Sequence, residues 1–219
     1  QSANNIDISR LISSLSLFKT DEYSSNGSLI TTARSRLGTL NTVLQMLRQS
    51  PLVVTAEQQK VFRIPAGEQA YRASNYLESK AAFTTSRKWH PNDPRFAEQW
   101  NFQSIGVEES WSRTHGKGAV VAVMDTGVAF RESKRGPRGK DFANTRFVEP
   151  WDFINKDANP WDDNGHGTHV AGTIAESTDN GEGVAGIAFE AAIMPIKVLD
   201  RNGYGKMSDV AKGIRYAAD

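Results

Sequence analysis

The pattern of apolar and polar positions divides the chain into two textures. Ala119-Val120-Val121-Ala122-Val123-Met124 is continuously apolar, opens after Gly118 and closes in Asp125-Thr126-Gly127. A Val-rich run bounded by glycines predicts a strand buried on both faces, as in a parallel sheet covered by helices. Ala192 to Leu199 predicts a second such strand, parallel to the first if the helix between them crosses over as such helices do. Its Pro195 calls for an edge or irregular position. Between the strands, His166 to Ala175 predicts a buried helix, with Gly167, Ala171 and Gly172 small enough for close packing. Asn164 and Thr168 are the expected partners of its first amides. Beyond a glycine-rich turn, Ser208 is expected to cap a helix that turns Val210, Ile214, Ala217 and Ala218 inward.

Residues 1 to about 90 read differently. Asn4 to Lys19 leans helical, although its apolar spacing is mixed. From Ser28 to Gln49, Ile30, Ala33, Leu37, Leu40, Leu44 and Leu47 recur at three and four, which predicts an amphipathic helix ended by Pro51. Pro51–Glu57 and Lys60–Ile64 read as short strands, and the polar stretch from Ala66 to Lys88 as a linker. Pro91 to Phe96 is an extended segment pinned by two prolines, followed by a short surface helix around Glu108 to Trp111. Arg131, Lys134, Arg135, Arg138 and Lys140, interrupted by glycines, predict an exposed loop and a point for proteolytic nicking.

Composition narrows the classes without choosing among them. A length of 219 residues allows one or two domains. With 38% hydrophobic residues, 23% charged residues and a net charge of +1, nothing points to nucleic acid or to membrane binding. The basic run lacks the interleaved aromatics of a nucleic-acid patch, and no apolar stretch is long enough to cross a bilayer. With no cysteine there is neither disulfide nor thiol chemistry, and cysteine usage cannot decide the compartment. A start at Gln1, without a basic-plus-apolar leader, fits a chain after signal-peptide removal or a fragment of a longer one.

The candidate chemistry lies at Asn164-Gly165-His166-Gly167-Thr168-His169. Three readings compete for this histidine pair. One is a structural histidine beside a helix start. Another is a metal-dependent hydrolase using His166 and His169 on one helical face, although the glutamate of the zinc-protease helix motif is missing. The third is an acid–base histidine, for which Asp125, at the carboxyl end of a buried strand, would fix the ring tautomer. Asp162 and Asp163, just upstream, would raise the histidine's proton affinity by proximity.

The blocks Val123-Met124-Asp125-Thr126-Gly127 and His166-Gly167-Thr168-His169-Val170-Ala171-Gly172 together resemble the subtilisin family of serine proteases, in the family's Asp-before-His order. The likeness runs from about Pro91 to Asp219, and its opening segment resembles thermitase-like members. It implies an α/β fold, a parallel sheet flanked by helices and incomplete here, preceded by a small α+β or helical pro-segment over residues 1–90. It implies a secreted endopeptidase acting on polypeptides, with Asp125 orienting the ring, His166 as general base and His169 structural. No Gly-Thr-Ser-Met-Ala segment occurs in these residues, so the nucleophilic serine is expected beyond Asp219 and these residues alone are expected to be inactive. The alternative is a catalytically inactive fragment that binds or inhibits. By the same resemblance, Leu199, Met207 and Val210 border substrate subsites. Asp93, Asp141 and Asn180 are candidate ligands of one structural calcium, and Asp152, Asp157 and Asn159 of a second. Both sets supply the oxygen donors that calcium takes.

Overall fold

The structure, a computed structural model, describes residues 10–13, 17–25, 28–35, 40–51, 53–63 and 89–219. They divide into two units, Gln1–Lys60 and Val61–Asp219. In the first, β1 (Leu17–Ser25) and β2 (Ser28–Ser35) pair antiparallel, followed by α1 (Leu40–Gln49). This unit is α+β rather than helical. The helix expected from Ser28 occupies only its second half, because Ser28–Ser35 is a strand. Two residues, Asn26-Gly27, separate the strands, and Asn-Gly between strands is a strong hairpin signal. Leu17–Lys19, expected to be helical, opens β1, while residues 4–9 and 14–16 lie outside the described residues. Ile12, Leu17 and Val43 form the small core of this unit, with Leu47 packed against it. The segment expected as a strand at Pro51–Glu57 has no regular structure where it is described, and the polar stretch 66–88 lies outside the described residues.

The second unit is built on a four-stranded sheet. Its centre is β7 (Ala192–Lys197), buried along its whole length. On one side β7 pairs in parallel with β4 (Val120–Asp125); on the other it pairs in parallel with two short strands, β5 (Arg146–Phe147) and β6 (Trp151–Asp152). Pro195 therefore lies in the central strand and not at an edge. The amides of Val148 and Phe153 reach the carbonyls of Ile193 and Lys197, so residues of that parity face β5 and β6. Pro195 then meets the interval between the two short strands, where its missing N–H leaves no ladder bond unmade.

Strand alternation distributes the sheet's side chains to two helices. Val121, Val123 and Ile193 pack with Ala171 and Ala175 of α4 (His166–Ala175), together with Val128, Phe130 and Phe142. Ala122, Met124, Met194 and Ile196 pack on the other face against Val210, Tyr216 and Ala217 of α5 (Met207–Ala218). Both helices were expected, but the inward face of α5 differs. Asp209 and Gly213 are buried, whereas Ile214 and Ala218 are exposed. A Cβ on Gly213 would press on Val198 and Ile196, and this close approach turns the helix to that face. Ser208 falls inside the first turn and not at the cap, because the helix begins at Met207. The arm from Trp89 to Trp111 packs its aromatics, Phe96, Phe102 and Trp111, against Ala185, Ile187 and Phe189. A short strand, β3 (Val61–Arg63), pairs antiparallel with β8 (Tyr204–Lys206).

Ile193 is fully buried where β7 meets α4. Ile193→Ala is expected to cost about 2–5 kcal/mol of stability, through lost burial and the cavity left behind. Urea unfolding of the full chain measures it.

Candidate active site

The same alternation that sends Val121 and Val123 to the α4 face sends Asp125 there as well. The helix starts at the carboxyl end of the strands, so its first residue, His166, meets that carboxylate. His166 Nδ1 lies 2.8 Å from both Asp125 oxygens. Asp125 is nearly buried, while the His166 side chain remains 30% exposed, so the ring joins a shielded carboxylate to solvent. The Thr126 amide donates to Asp125 Oδ1 at 2.6 Å, and Asp125's own carbonyl accepts from Val198 and Leu199. The carboxylate is thus oriented from its own backbone and the strand from β7.

Two glycines permit close backbone approaches here. A Cβ on Gly167 would run into the Gly127 carbonyl and stand 3.0 Å from Asp125 Cβ. Gly127 has φ +106°, and a Cβ there would meet the Pro160 carbonyl at 2.5 Å. A side chain at Gly167 would push the helix start off the strand end, and one at Gly127 would push the strand end off the Pro160–Trp161 backbone.

The helix start is held mainly by Asp162, with help from Asn164 and Thr168. Asn164 Oδ1 accepts from the His166 amide at 3.2 Å. Thr168 uses its hydroxyl to donate to Asp162 and to accept from Ala129. The Asp162 carboxylate accepts from the amides of Asn164, Gly165 and Thr168 and from the hydroxyls of Thr126 and Thr168. Burial pushes this carboxyl up, but the donors on Thr168, Gly165 and Asn164 together outweigh burial and hold it below its usual range. Asp163 instead meets the buried Lys197 at 2.7 Å. Lys197 Nζ also donates to the Thr126 carbonyl. Asp162 and Asp163 thus have two structural duties, capping the helix and neutralising a lysine. The supporting roles of Thr126 and Lys197, and the capping role of Asp162, are what sequence reasoning missed. A single lysine inside an apolar strand and an aspartate just before a helix were the signals available.

The remaining candidates separate into groups. His169 is exposed on α4. Among the described residues no three His, Asp or Glu side chains gather to hold a metal, which removes support from the paired-histidine metal reading. Leu199 is 2% exposed and packs in the core, Val210 lines the same cluster, and Met207 is 42% exposed beside β8.

Asp93, Asp141 and Asn180 do come together. Asp93 Oδ1 is buried without a hydrogen-bond partner, while Oδ2 accepts from the Asp179 amide. Asp141 accepts from the Asn180 side chain and the Val184 amide. Burial raises the Asp141 carboxyl, and burial followed by the charges of Asp141 and Asp93 pushes Glu176 up to about 7. Asp93 and Asp141 supply two carboxylates, one with an orphaned oxygen, the donor type a hard divalent ion takes; among the described residues no third His, Asp or Glu joins them in a metal-holding group. Asn180 donates its amide N–H to Asp141 Oδ1, and its side-chain carbonyl accepts from the Glu182 amide.

Residues 116–219 match the family model described as the Subtilase family. This part of the chain belongs to the subtilase family. Thermitase from Thermoactinomyces vulgaris is 42% identical to the chain over 130 residues, covering 59% of the chain and 44% of thermitase. A thermophilic serine proteinase from Bacillus sp. (strain AK1) is 34% identical over 186 residues, 84% of the chain and 39% of that protein. An extracellular protease of Xanthomonas campestris pv. campestris is 33% identical over 160 residues, 58% of the chain and 26% of that protein. The chain spans less than half the length of each of these curated relatives.

The subtilase helix start gives a pH-dependent expectation. Because the Asp162 carboxyl is held low in the fold, its stabilisation is complete above the unfolded value and is lost as pH falls through the folded one. Asp162→Asn should destabilise the chain by about 1–3 kcal/mol at neutral pH. In urea unfolding, its difference from wild type should shrink once the solution is below the ordinary carboxylate range.

Proposed function

We propose that the chain is the pro-segment and first part of the catalytic domain of a secreted, calcium-stabilised serine endopeptidase of the subtilisin type. The observation that carries this reading is the Asp125–His166 contact, with both carboxylate oxygens 2.8 Å from Nδ1. With Nδ1–H held by Asp125, Nε2 is the basic position. The nucleophile is a serine supplied from outside residues 1–219. Its Oγ attacks the scissile carbonyl while Nε2 takes its proton, and the Asp125 charge stabilises the imidazolium that forms. The imidazolium then gives that proton to the leaving amine as the tetrahedral intermediate collapses, the carbonyl re-forms and the C–N bond breaks, leaving the acyl-enzyme. Water repeats the sequence on the acyl-enzyme, with His166 again the base, and releases the acid.

An extended polypeptide as substrate is supported by β8. Its antiparallel partner, Val61–Arg63, lies along Tyr204–Lys206 in the way that a peptide adds to a sheet edge. Val61 and Phe62 remain exposed there, as does Met207. This pairing is also what a pro-segment tail seated at its own substrate edge requires. Leu199 and Val210 support that edge from beneath, and Met207 is the side chain available for contact. Calcium, held by Asp93 and Asp141 with oxygens of the 177–184 loop, would tie the Pro91–Phe96 arm to the end of α4. The extracellular name of the Xanthomonas relative supports export. Among the described residues no helix is long and apolar enough to cross a membrane.

Residues 1–219 alone are expected to hydrolyse no chromogenic peptide. Hydrolysis by the purified chain that His166→Ala abolishes would overturn that expectation. In a polypeptide that also carries the serine-bearing remainder of the domain, Asp125→Asn should lower kcat on the order of 10⁴-fold, since the ring loses its tautomer control. Full activity in that variant would sink the assignment. Chelation should lower the melting temperature of wild type more than that of Asp93→Asn. Equal shifts would separate calcium from the 93/141 pair.

A further inference from the structure

The loop that resemblance assigns to a second calcium is already occupied by cationic side chains of this chain. Asp152 and Asp157 close the loop on each other through their backbones, Asp152 N to Asp157 O at 2.8 Å and the reverse at 3.3 Å. The Asp152 side chain is fully buried. Its Oδ1 accepts from the amides of Ile154 and Asn155, and its Oδ2 from the Asn155 side chain. Asp157 Oδ1 accepts from the Asn159 amide at 2.8 Å. What remains is the side facing the basic run. There Arg135 Nη2 meets Asp157 Oδ2 at 3.0 Å, and Nη1 stands 3.6 Å from Asp152 Oδ2 and donates to the Asn159 carbonyl at 3.3 Å. Arg131 donates to Asn159 Oδ1 at 3.3 Å and to the Ala158 carbonyl at 3.1 Å.

The basic run is exposed along much of its length, as expected, but it is not loose. A Cβ on Gly136 would meet the Trp161 ring at 2.5 Å, so the backbone lies flat on that indole. Ser133 and Gly136 bridge each other, the Gly139 amide reaches the Ala129 carbonyl, and the Arg138 amide donates to Glu132. These contacts fix the stalk from which Arg135 projects. A planar guanidinium with five donors spans two carboxylates and a carbonyl, which one spherical ion would otherwise draw together.

The geometry points to a substitution of side chain for metal: Arg135, seconded by Arg131, is the cation of the Asp152–Asn159 loop and excludes calcium from it. Asp152, Asp157 and Asn159 are ligands of a guanidinium in this chain, which corrects their assignment as a calcium set. The order of the loop is then independent of calcium, whereas the Asp93/Asp141 cluster, with its orphaned oxygen and no basic side chain bonded to it, keeps its need for an ion.

Calcium titration of the full chain by isothermal calorimetry tests this, comparing wild type with Asp157→Asn and Arg135→Ala. Wild type and Asp157→Asn should bind the same number of calcium equivalents. Loss of one equivalent in Asp157→Asn would overturn the inference. Arg135→Ala should gain an equivalent that the double variant Arg135→Ala/Asp157→Asn lacks, and a folded Arg135→Ala that gains none would equally overturn it. Should Arg135→Ala fail to fold, the wild-type and Asp157→Asn pair decides alone. Neither outcome depends on the protease reading, because no catalytic activity is measured.

Discussion

The fold of the second unit depends on a helix that begins in contact with the end of a strand. Gly167 carries no side chain, so the first turn of α4 rests directly on the Asp125–Gly127 turn. Everything chemical follows from that contact. It sets the separation of carboxylate and imidazole, and it leaves the amides of the first turn buried and in need of acceptors. The Asp162 carboxylate accepts from the Thr168 amide of that turn, from the Asn164 and Gly165 amides before it and from two hydroxyls, far more than a surface cap collects. The hydroxyl of Thr126 links cap to strand, accepting from Gly167 and donating to Asp162. Strand end, helix start and capping carboxylate are therefore one hydrogen-bonded body.

Charge neutralisation repeats across the unit at short range. Lys197 is buried to 1% on β7 and is offset by Asp163. Arg135 offsets Asp152 and Asp157. Buried charges of either sign are tolerated because a partner comes with them. The Asp93/Asp141/Glu176 group departs from this rule among the described residues, and burial with neighbouring charge pushes the carboxyls of Asp141 and Glu176 up.

Much of this architecture is legible in the residues. The continuous apolar runs ending in Asp125 and Leu199 marked β4 and β7, although only β7 is buried along its whole length and β4 begins exposed at Val120. The Asp125–His166 pair was legible because strand end and helix start are each marked by glycine. The first unit was harder. Ile30 and Ala33 fit a helical period as well as a strand, and the deciding feature was the Asn26-Gly27 pair between two extended segments. The inward face of α5 was misread because a buried glycine and a buried aspartate carry no hydrophobic signal. Arg135 is exposed as expected, but its pairing with Asp152 and Asp157 was not legible because those partners lie more than a dozen residues away in sequence, where periodicity has no reach.

Pro195 carries a consequence for how the sheet is assembled. A strand lacking one donor cannot slide along a neighbour without setting that gap against a carbonyl that needs a bond. The interruption between Phe147 and Trp151 therefore works as an index mark, fitting β7 in one alignment. The chain must leave the sheet there and return, and that detour delivers Asp152 to its loop at a fixed phase relative to Asp125 across the strand between them. A residue usually regarded as a breaker of sheets here acts as the notch of a key.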